Sequence, residues 1–118
     1  MSGGRLPTHL WVMAVVRQEN AAGRPVMVLR KGERSGGGLL VKINLLNGSF
    51  LVLAQQRDLE GRLGWMAALK GECESESQVD DYIDRAVKRD PDLWVVEVED
   101  REAENPFAEG PEALAQTL

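Results

Sequence analysis

The stretch that decides the fold runs from Leu39 to Leu53 and reads LLVKINLLNGSFLVL. Asn47-Gly48 stands between two apolar runs. This pair is the strongest short-range signal for a β-hairpin, because a type I′ turn needs positive φ at both central residues. Apolar side chains fall on both faces of the two predicted strands. A strand of that kind is typical of the inside of a sheet, so we expect the hairpin to lie away from the sheet edges.

Two polar side chains interrupt one face of the first strand. Lys42 and Asn44 stand between Leu40 and Leu46 on the face opposite the unbroken apolar one. They could face solvent, a pocket or a subunit contact, and exposure is the usual outcome for such residues. This face is where a binding surface is expected first.

The flanking patterns predict two helices. The first is expected from His9 to about Ala22 with Thr8 as its N-cap, although its apolar first half, LWVMAVV, is equally typical of a buried strand. The second helix begins near Ser75, which forms a capping box with Gln78. It ends at residues 90–91, Asp-Pro, because proline disfavours a helical residue before it.

Three further strands are predicted, at residues 25–31, 62–69 and 93–99. The order of elements is then α-β-β-β-β-α-β, and short connections between the middle strands favour antiparallel neighbours. The expected fold class is α+β, with an antiparallel sheet of about five strands and two helices on one face. Residues 1–7 are predicted to be a flexible N-terminus, 8–100 a single domain, and 101–118 an acidic, disordered tail.

Charge is unevenly placed along the 118 residues, whose net charge is −5. Residues 24–42 hold five bases and one acid, whereas residues 72–84 hold six acids and no base. A mildly acidic domain is a poor candidate for nucleic-acid binding, which needs several phosphates neutralised at once. The single cysteine, Cys73, excludes an intramolecular disulfide and fits a reducing cytoplasm. No apolar run reaches the length that spans a membrane.

Four segments resemble a known family. They are the closing DPDLWVVEVEDR of residues 90–101, the LWV of residues 10–12, the LRKG of residues 29–32 before a glycine-rich loop, and the LVKIN of residues 40–44. Together they resemble the small alphaproteobacterial family known as domain of unknown function 1491, over about residues 5–101. The resemblance implies a bacterial cytoplasmic protein, and it implies no established activity, cofactor or catalytic residue.

The glycine-rich loop at residues 32–38, GERSGGG, is the best candidate for a binding site. Consecutive glycine amides can cradle an anion, and nearby basic side chains would add charge. The loop is not a phosphate-binding Walker A loop, because it lacks Gly-Lys-Ser/Thr and precedes a strand. The alternative is a flexible connection with solvated bases, which is the commoner role of such a loop. The predicted anion site comprises Arg30, Arg34, Gly36, Gly37, Gly38, Lys42 and Asn44.

Other polar residues carry weaker hypotheses. Glu97 and Glu99 share one strand face about 7 Å apart, so they could bridge a hard cation, but the commoner arrangement is the solvent face of an amphipathic strand, where they could pair with a Lys or Arg on a neighbouring strand. His9 and Cys73 would need to meet across the fold, with an orienting group, to form a catalytic pair. The three tryptophans fall on apolar faces and are predicted to be core anchors.

The sequence therefore predicts a non-catalytic binding or protein-interaction module that forms a homodimer or binds a protein partner. No catalytic residue, metal site or cofactor is expected. The alternative function is a small anion- or nucleotide-binding protein that uses the basic loop of residues 30–42.

Overall fold

Two helices and five strands follow one another in the predicted order, α-β-β-β-β-α-β. They are described here from a computed structural model, which covers residues 6–69 and 74–111. Residues 8–21 are helical, so the alternative of a buried strand at this position is wrong. The elements are α1 (Thr8–Ala21), β1 (Val26–Arg30), β2 (Leu39–Asn44), β3 (Phe50–Arg57), β4 (Leu63–Ala67), α2 (Glu76–Arg89) and β5 (Trp94–Glu99).

The five strands form one mixed sheet in the order β1-β5-β2-β3-β4. The last strand is inserted between the first two and runs parallel to β2, with Leu40 opposite Val95 and Lys42 opposite Glu97. The prediction of a purely antiparallel sheet is therefore wrong. Short connections made β2, β3 and β4 antiparallel neighbours as expected, but residues 31–38 pass from β1 to β2 and leave room for β5 between them.

The two helices lie on opposite faces of the sheet, so the prediction of both helices on one face is also wrong. Trp11, Val12 and Val15 of α1 pack with Val41 and Val96 on one face. On the other face, the buried residues of α2 pack with residues of three strands, namely Val79, Ile83 and Ala86 with Leu40, Val52 and Val95. The central strands β2 and β5 are apolar on both faces, and each face needs its own cover.

The hairpin of β2 and β3 lies inside the sheet, as its two apolar faces predicted. Asn44 is opposite Phe50, so five residues, 45–49, connect the strands. Positive φ occurs at Leu46 (63°) and Gly48 (89°) and not at the two residues of one tight turn. The prediction of a two-residue type I′ turn is therefore wrong, although its glycine does adopt the left-handed conformation.

The glycine-rich loop is fixed to the start of α1. The N–H groups of Thr8 and His9 donate to the C=O groups of Ser35 and Arg34, at 3.2 and 2.9 Å. The Thr8 hydroxyl donates to the C=O of Gly37 at 3.1 Å. Thr8 therefore is the first residue of the helix and not its N-cap, because its hydroxyl bonds the loop rather than the helix. Loop carbonyls satisfy the amides that begin the helix.

The second helix begins as predicted. The Ser75 side chain accepts from the N–H of Gln78, and the Gln78 side chain accepts from the N–H of Ser75, which is the predicted capping box. Basic residues occupy its last turn, where they favour the helix dipole. Neither helix within the described ranges is long and apolar enough to cross a membrane.

Residues 101–111 pack against the domain, so the expectation of disorder from residue 101 is wrong for this part. Phe107 is fully buried and meets the ring of Trp11 edge-on, with centroids 5.5 Å apart. The Trp65 indole N–H donates to the C=O of Ala108 at 3.2 Å. Composition predicted disorder because one aromatic residue among acids and prolines carries little weight in an average. Of the rest of the predicted flexible ends, residues 1–5 and 112–118 lie outside the described residues, and Pro7 is the N-cap of α1.

Candidate functional site

The structure distributes the seven residues of the predicted anion site over separate places. The three glycines, 36–38, lie in the loop beside α1, Arg34 lies next to His9, and Asn44 ends β2. Lys42 is on the face covered by α2. The Arg30 guanidinium donates to the C=O of Lys31 at 3.2 Å. The residues therefore do not converge on one ligand position.

The amides of the loop already hold a carboxylate from the same chain. Glu33 Oε2 accepts from the N–H of Gly36 at 2.6 Å and from the N–H of Ser35 at 3.1 Å. The Ser35 hydroxyl donates to Glu33 Oε1 at 3.0 Å. These bonds, with that of the Gly36 amide the strongest, lower the pKa of Glu33 below its ordinary value. An external anion would have to displace Glu33 from the loop.

Close packing accounts for two of the loop glycines. A Cβ on Gly37 would stand 2.2 Å from the C=O oxygen of Asp92, and one on Gly32 would stand 2.1 Å from the same atom. A Cβ on Gly36 would meet only the Glu33 carboxylate, at 3.7 Å. The glycines at 32 and 37 therefore let the loop approach the backbone that leads into β5.

The glycines at 36–38 also line a polar cleft of about 300 Å³ with Gln55 and Arg57. Gln55 Oε1 is buried and has no hydrogen-bond partner within the described ranges. The Arg57 guanidinium donates to the C=O of Gly61 at 2.6 Å. The buried Gln55 oxygen needs a hydrogen-bond donor, whereas an anion only accepts hydrogen bonds. This cleft is therefore not a substitute for the predicted anion site.

Lys42 is 3% exposed, so the expectation that it would face solvent is wrong. Its Nζ lies 2.8 Å from Glu76 Oε2, 2.7 Å from Asp80 Oδ1 and 3.6 Å from Glu97 Oε1, and 5.2 Å from the centroid of the Phe50 ring. Burial alone would lower the pKa of the ammonium, but the bonds to Asp80 and Glu76 outweigh burial, and the pKa is raised. Lys42 thus links α2 to the sheet through ion pairs.

Of the three carboxylates around Lys42, only one was predicted from the sequence as the partner of a basic residue. Pairing of Glu97 with a base on a neighbouring strand is confirmed, since Lys42 stands opposite it. Glu76 and Asp80 were missed as its partners. Their spacing of four residues, at the start of an acidic helix, was the available signal, because it places both carboxylates on one helix face.

Asn44 stabilises the hairpin loop. Its Oδ1 accepts from the N–H of Leu46 at 2.8 Å, which supports the positive φ of that residue. The side chain is therefore engaged by the backbone that follows it, as is common for asparagine in turns.

An apolar groove of about 460 Å³ lies between β1 and α2. Its floor is formed by Ile83, Val87 and Val95, and Leu29 of β1 forms one wall. Leu29 is 44% exposed, and Met27 on the same strand face is 57% exposed. Helix α2 therefore covers the centre of this sheet face and leaves the β1 side open.

A second pocket, of about 300 Å³, lies beside α1 on the opposite face. The Trp94 ring and Met13 give it an apolar floor, and His9, Lys31 and Arg34 line its rim. His9 Nδ1 lies 3.0 Å from the C=O of Arg34, and His9 Nε2 lies 3.4 Å from the Arg34 guanidinium. Because a carbonyl only accepts, Nδ1 carries the proton and Nε2 is the acceptor facing Arg34.

No group of three or more metal-ligating side chains that could hold a metal ion occurs within residues 6–69 and 74–111. Glu97 is held by Lys42, which leaves the hypothesis of a cation bridge to Glu99 without support. Cys73 lies outside the described residues, so the structure does not describe its distance from His9.

The comparison with family models matches residues 6–108 to the family described as protein of unknown function (DUF1491). The chain belongs to this family, which confirms the resemblance and extends it past residue 101. None of the curated proteins matches the chain.

Solved structures of the family share the fold. A crystal structure of a DUF1491 family protein from Caulobacter crescentus is 33% identical, with a TM-score of 0.77, and the match covers 89% of this chain and 97% of that one. An NMR structure of a DUF1491 family protein from the same organism is also 33% identical, with a TM-score of 0.78, and 92% and 97% coverage. A solution structure of a protein from A. tumefaciens is 23% identical, with a TM-score of 0.69 and 91% and 93% coverage, and it shows similarity of fold alone.

Proposed function

We propose that the protein is a non-catalytic protein-interaction module that forms a homodimer through the groove between β1 and α2. The observation that carries this proposal is the exposure of Leu29 beside the buried floor of Ile83 and Val95, with Met27 exposed two residues earlier on the same strand. A contiguous apolar surface of this kind marks a contact site more often than single scattered apolar residues do.

The side chains that most resemble reactive groups are already engaged, which supports a non-catalytic role. Lys42 is held in its charged form by carboxylates, so it is not a nucleophile at neutral pH. His9 is bonded at both ring nitrogens by Arg34.

The outer edge of β1 is covered at its first residue. The C=O of Pro25 accepts from the N–H of Glu99, so by alternation the polar groups of Val26 point away from β5. The Asn20 side chain donates to the C=O of Val26 at 3.0 Å and accepts from its N–H at 3.1 Å. The proposed contact involves the face of the sheet beside α2, where the groove lies.

One end of the groove is acidic. Met27 is opposite Glu97 in the sheet, and Glu97 is opposite Lys42. The carboxylates of Glu76, Asp80 and Glu97 surround the single ammonium of Lys42 at this end. The cluster therefore has a net charge of two negative units. The side chains of Glu76 and Asp80 are about half exposed, so a partner can reach them.

The other end of the groove carries two basic residues, Arg30 and Lys88, and Asp84 lies on α2 between the two ends. Asp80 and Lys88 are eight residues apart on α2, which corresponds to about 12 Å along the helix axis. A two-fold rotation across the groove would place the acidic end of one copy against the basic end of the other. This self-complementarity is the reason for choosing a second copy as the partner.

The mass of the protein in solution tests the proposal, measured by light scattering across the micromolar range at low and high salt. We expect a dimer whose dissociation rises with salt, because the charges at the ends of the groove are screened. Leu29→Asp is expected to give a monomer. Leu10→Asp is the matched control, since Leu10 is 47% exposed on α1, away from the groove. A wild-type monomer at both salt concentrations would contradict the homodimer.

A charge reversal separates electrostatic matching from apolar contact. Lys88→Glu would bring like charges together and is expected to weaken the dimer, whereas Arg85→Glu, on an exposed part of α2 that does not line the groove, is expected to have little effect. Equal effects of the two variants would show that only the net charge matters and would contradict the two-fold arrangement.

The proposal places the protein in the cytoplasm, because its single cysteine fits a reducing compartment. The alternative of anion or nucleotide binding by residues 30–42 receives less support, since Glu33 fills the loop and Lys42 is bound elsewhere. Of the residues predicted for that site, Arg34 lines the pocket beside α1.

A further inference from the structure

We propose that the pocket beside α1 binds a small organic anion, with its oxyanion held by Arg34 and Lys31 and its flat apolar body against Trp94 and Met13. The oxyanion is a carboxylate or a phosphate, because a guanidinium recognises both with two parallel hydrogen bonds. The pocket is on the face covered by α1, so this proposal is independent of the dimer proposed at the groove beside α2.

The floor of the pocket is apolar and fixed in place. Trp94 is 3% exposed, and its indole N–H donates to the C=O of Glu33 at 2.7 Å, which sets the orientation of the ring. Met13, which also lines the pocket, is 41% exposed. A flexible thioether beside a fixed aromatic ring adapts to flat apolar ligands of different outline.

Gly32 lines the pocket on the side of the loop. A Cβ at this position would stand 2.1 Å from the backbone oxygen of Asp92, so packing against that backbone explains why the residue is a glycine. The residues that line the pocket leave about 300 Å³, which is at the lower end of the range for small-molecule sites.

The rim carries positive charge and no carboxylate. Lys31 and Arg34 are exposed, and within the described residues no acid forms an ion pair with either of them. The nearest acid in sequence, Glu33, bonds Ser35 and Gly36 within the loop. Two cationic side chains over an apolar floor favour a ligand that has both an anionic and an apolar part.

His9 is a positioning residue for Arg34. Its Nδ1–H donates to the Arg34 carbonyl, and its Nε2 accepts from the Arg34 guanidinium at 3.4 Å. The backbone carbonyl and the guanidinium of Arg34 are thus both hydrogen-bonded to the imidazole of His9. This restraint reduces the side-chain entropy that is lost when the guanidinium binds an anion. His9→Ala is expected to weaken binding less than Arg34→Ala does.

An NMR titration with four probes tests the proposal, followed at the indole N–H signals of the three tryptophans. Benzoate and phenyl phosphate carry both an anion and a ring, benzamide carries the ring without the charge, and acetate carries the charge without the ring. We expect benzoate and phenyl phosphate to shift the Trp94 signal in a saturable way, while the signals of Trp11 and Trp65 stay in place. Whichever of benzoate and phenyl phosphate binds more tightly shows whether the preferred oxyanion is a carboxylate or a phosphate.

Variants assign the binding to named side chains. Arg34→Ala and Lys31→Ala are each expected to weaken the binding of the tighter probe about tenfold, as is typical for the loss of a charge-assisted hydrogen bond. Met13→Asp places a like charge over the floor and is expected to abolish binding while leaving the fold intact, because Met13 is largely exposed. Arg62→Ala, at the turn between β3 and β4 and not among the residues that line the pocket, is the matched control and is expected to have no effect.

Three results would overturn the proposal. They are the absence of any Trp94 shift at millimolar probe, benzamide or acetate binding as tightly as the charged aromatic probes, and equal weakening by Arg34→Ala and Arg62→Ala. The fingerprint spectrum of each variant without probe separates loss of binding from loss of folding.

Discussion

At the scale of single residues, one ion cluster joins α2 to the sheet. Lys42 sits in the middle of the central strand β2, and its partners come from α2 and from β5. A buried lysine is costly unless it is paired, so its removal leaves three carboxylates without their cation.

Lys42→Met is therefore expected to lower the free energy of unfolding by about 2–3 kcal/mol. This is less than a fully buried pair would lose, because Glu76 and Asp80 are half exposed to water. Urea denaturation at a fixed protein concentration measures the change. Arg85→Met, at an exposed position of α2, is the control and is expected to change stability by less than about 0.5 kcal/mol. An equal change in both variants would contradict the role of the cluster.

The lowered pKa of Glu33 predicts that the stability of the fold depends on pH. Its pKa is lower in the folded chain than its ordinary value of 4.5, so its stabilising effect is complete above that pH and is lost as the pH falls through the folded pKa. Glu33→Gln is expected to be less stable than the wild type at pH 7, with the difference shrinking towards pH 3. Thermal denaturation across this range tests it, with the exposed Asp81→Asn as control. A difference that is independent of pH would contradict the role of the carboxylate.

At the scale of the elements, periodicity and capping predicted both helices and all five strands. The box formed by Ser75 and Gln78 marked the start of α2, and the alternation of residues 93–99 marked the last strand. The position of that strand was not predictable from the same signals, because they report local structure and not which strands pair. Val95 was the clue, since a strand apolar on both faces belongs in the centre of a sheet.

The candidate site was less predictable than the fold. The glycine-rich loop was correctly located, but its glycines had two explanations, ligand approach and close packing, that sequence does not distinguish. Gly37 is a glycine because its backbone lies against the backbone of Asp92. The N–H of Gly36, which could have bound an anionic ligand, donates to the Glu33 carboxylate. Arg34 alone of the predicted residues lies at the rim of the pocket beside α1, and it is joined there by residues that are distant in sequence, His9 and Trp94.

The loop between β1 and β2 gives a prediction at this scale. Gly37→Ala would bring a methyl group against the backbone of Asp92 and is expected to cost about 2–3 kcal/mol of stability. Gly36→Ala is the matched control, because the nearest heavy atom is a carboxylate oxygen at ordinary contact distance. Chemical denaturation of both variants compares them. Equal stability of the two would contradict the close packing of the loop.

At the scale of the whole molecule, each face of the sheet has its own core, and the segment after β5 completes the one beneath α1. Phe107 is fully buried there against Trp11. This segment therefore belongs to the folded domain, in agreement with the family match over residues 6–108.

Phe107→Ala is expected to lower the free energy of unfolding by about 3–4 kcal/mol, because it removes a large buried ring and leaves a cavity beside Trp11. The change in Trp fluorescence during denaturation measures it. Glu109→Ala, an exposed residue of the same segment, is expected to have little effect. A small effect of Phe107→Ala would show that the segment contributes little to the core.

The insertion of β5 between β1 and β2 has a consequence for biosynthesis. The ribosome produces β1 and β2 long before the strand that separates them, so the sheet stays divided into β1 on one side and the β2–β3–β4 unit on the other until residue 99 has emerged. During that interval β2 exposes an apolar edge that another chain could occupy. The pairings of β5 with β1 and β2 join residues distant in sequence, and such non-local pairings form more slowly than local ones. A nascent chain that stalls before Trp94 would therefore be a substrate for chaperones, whereas one that stalls beyond Phe107 would already contain every strand of the sheet.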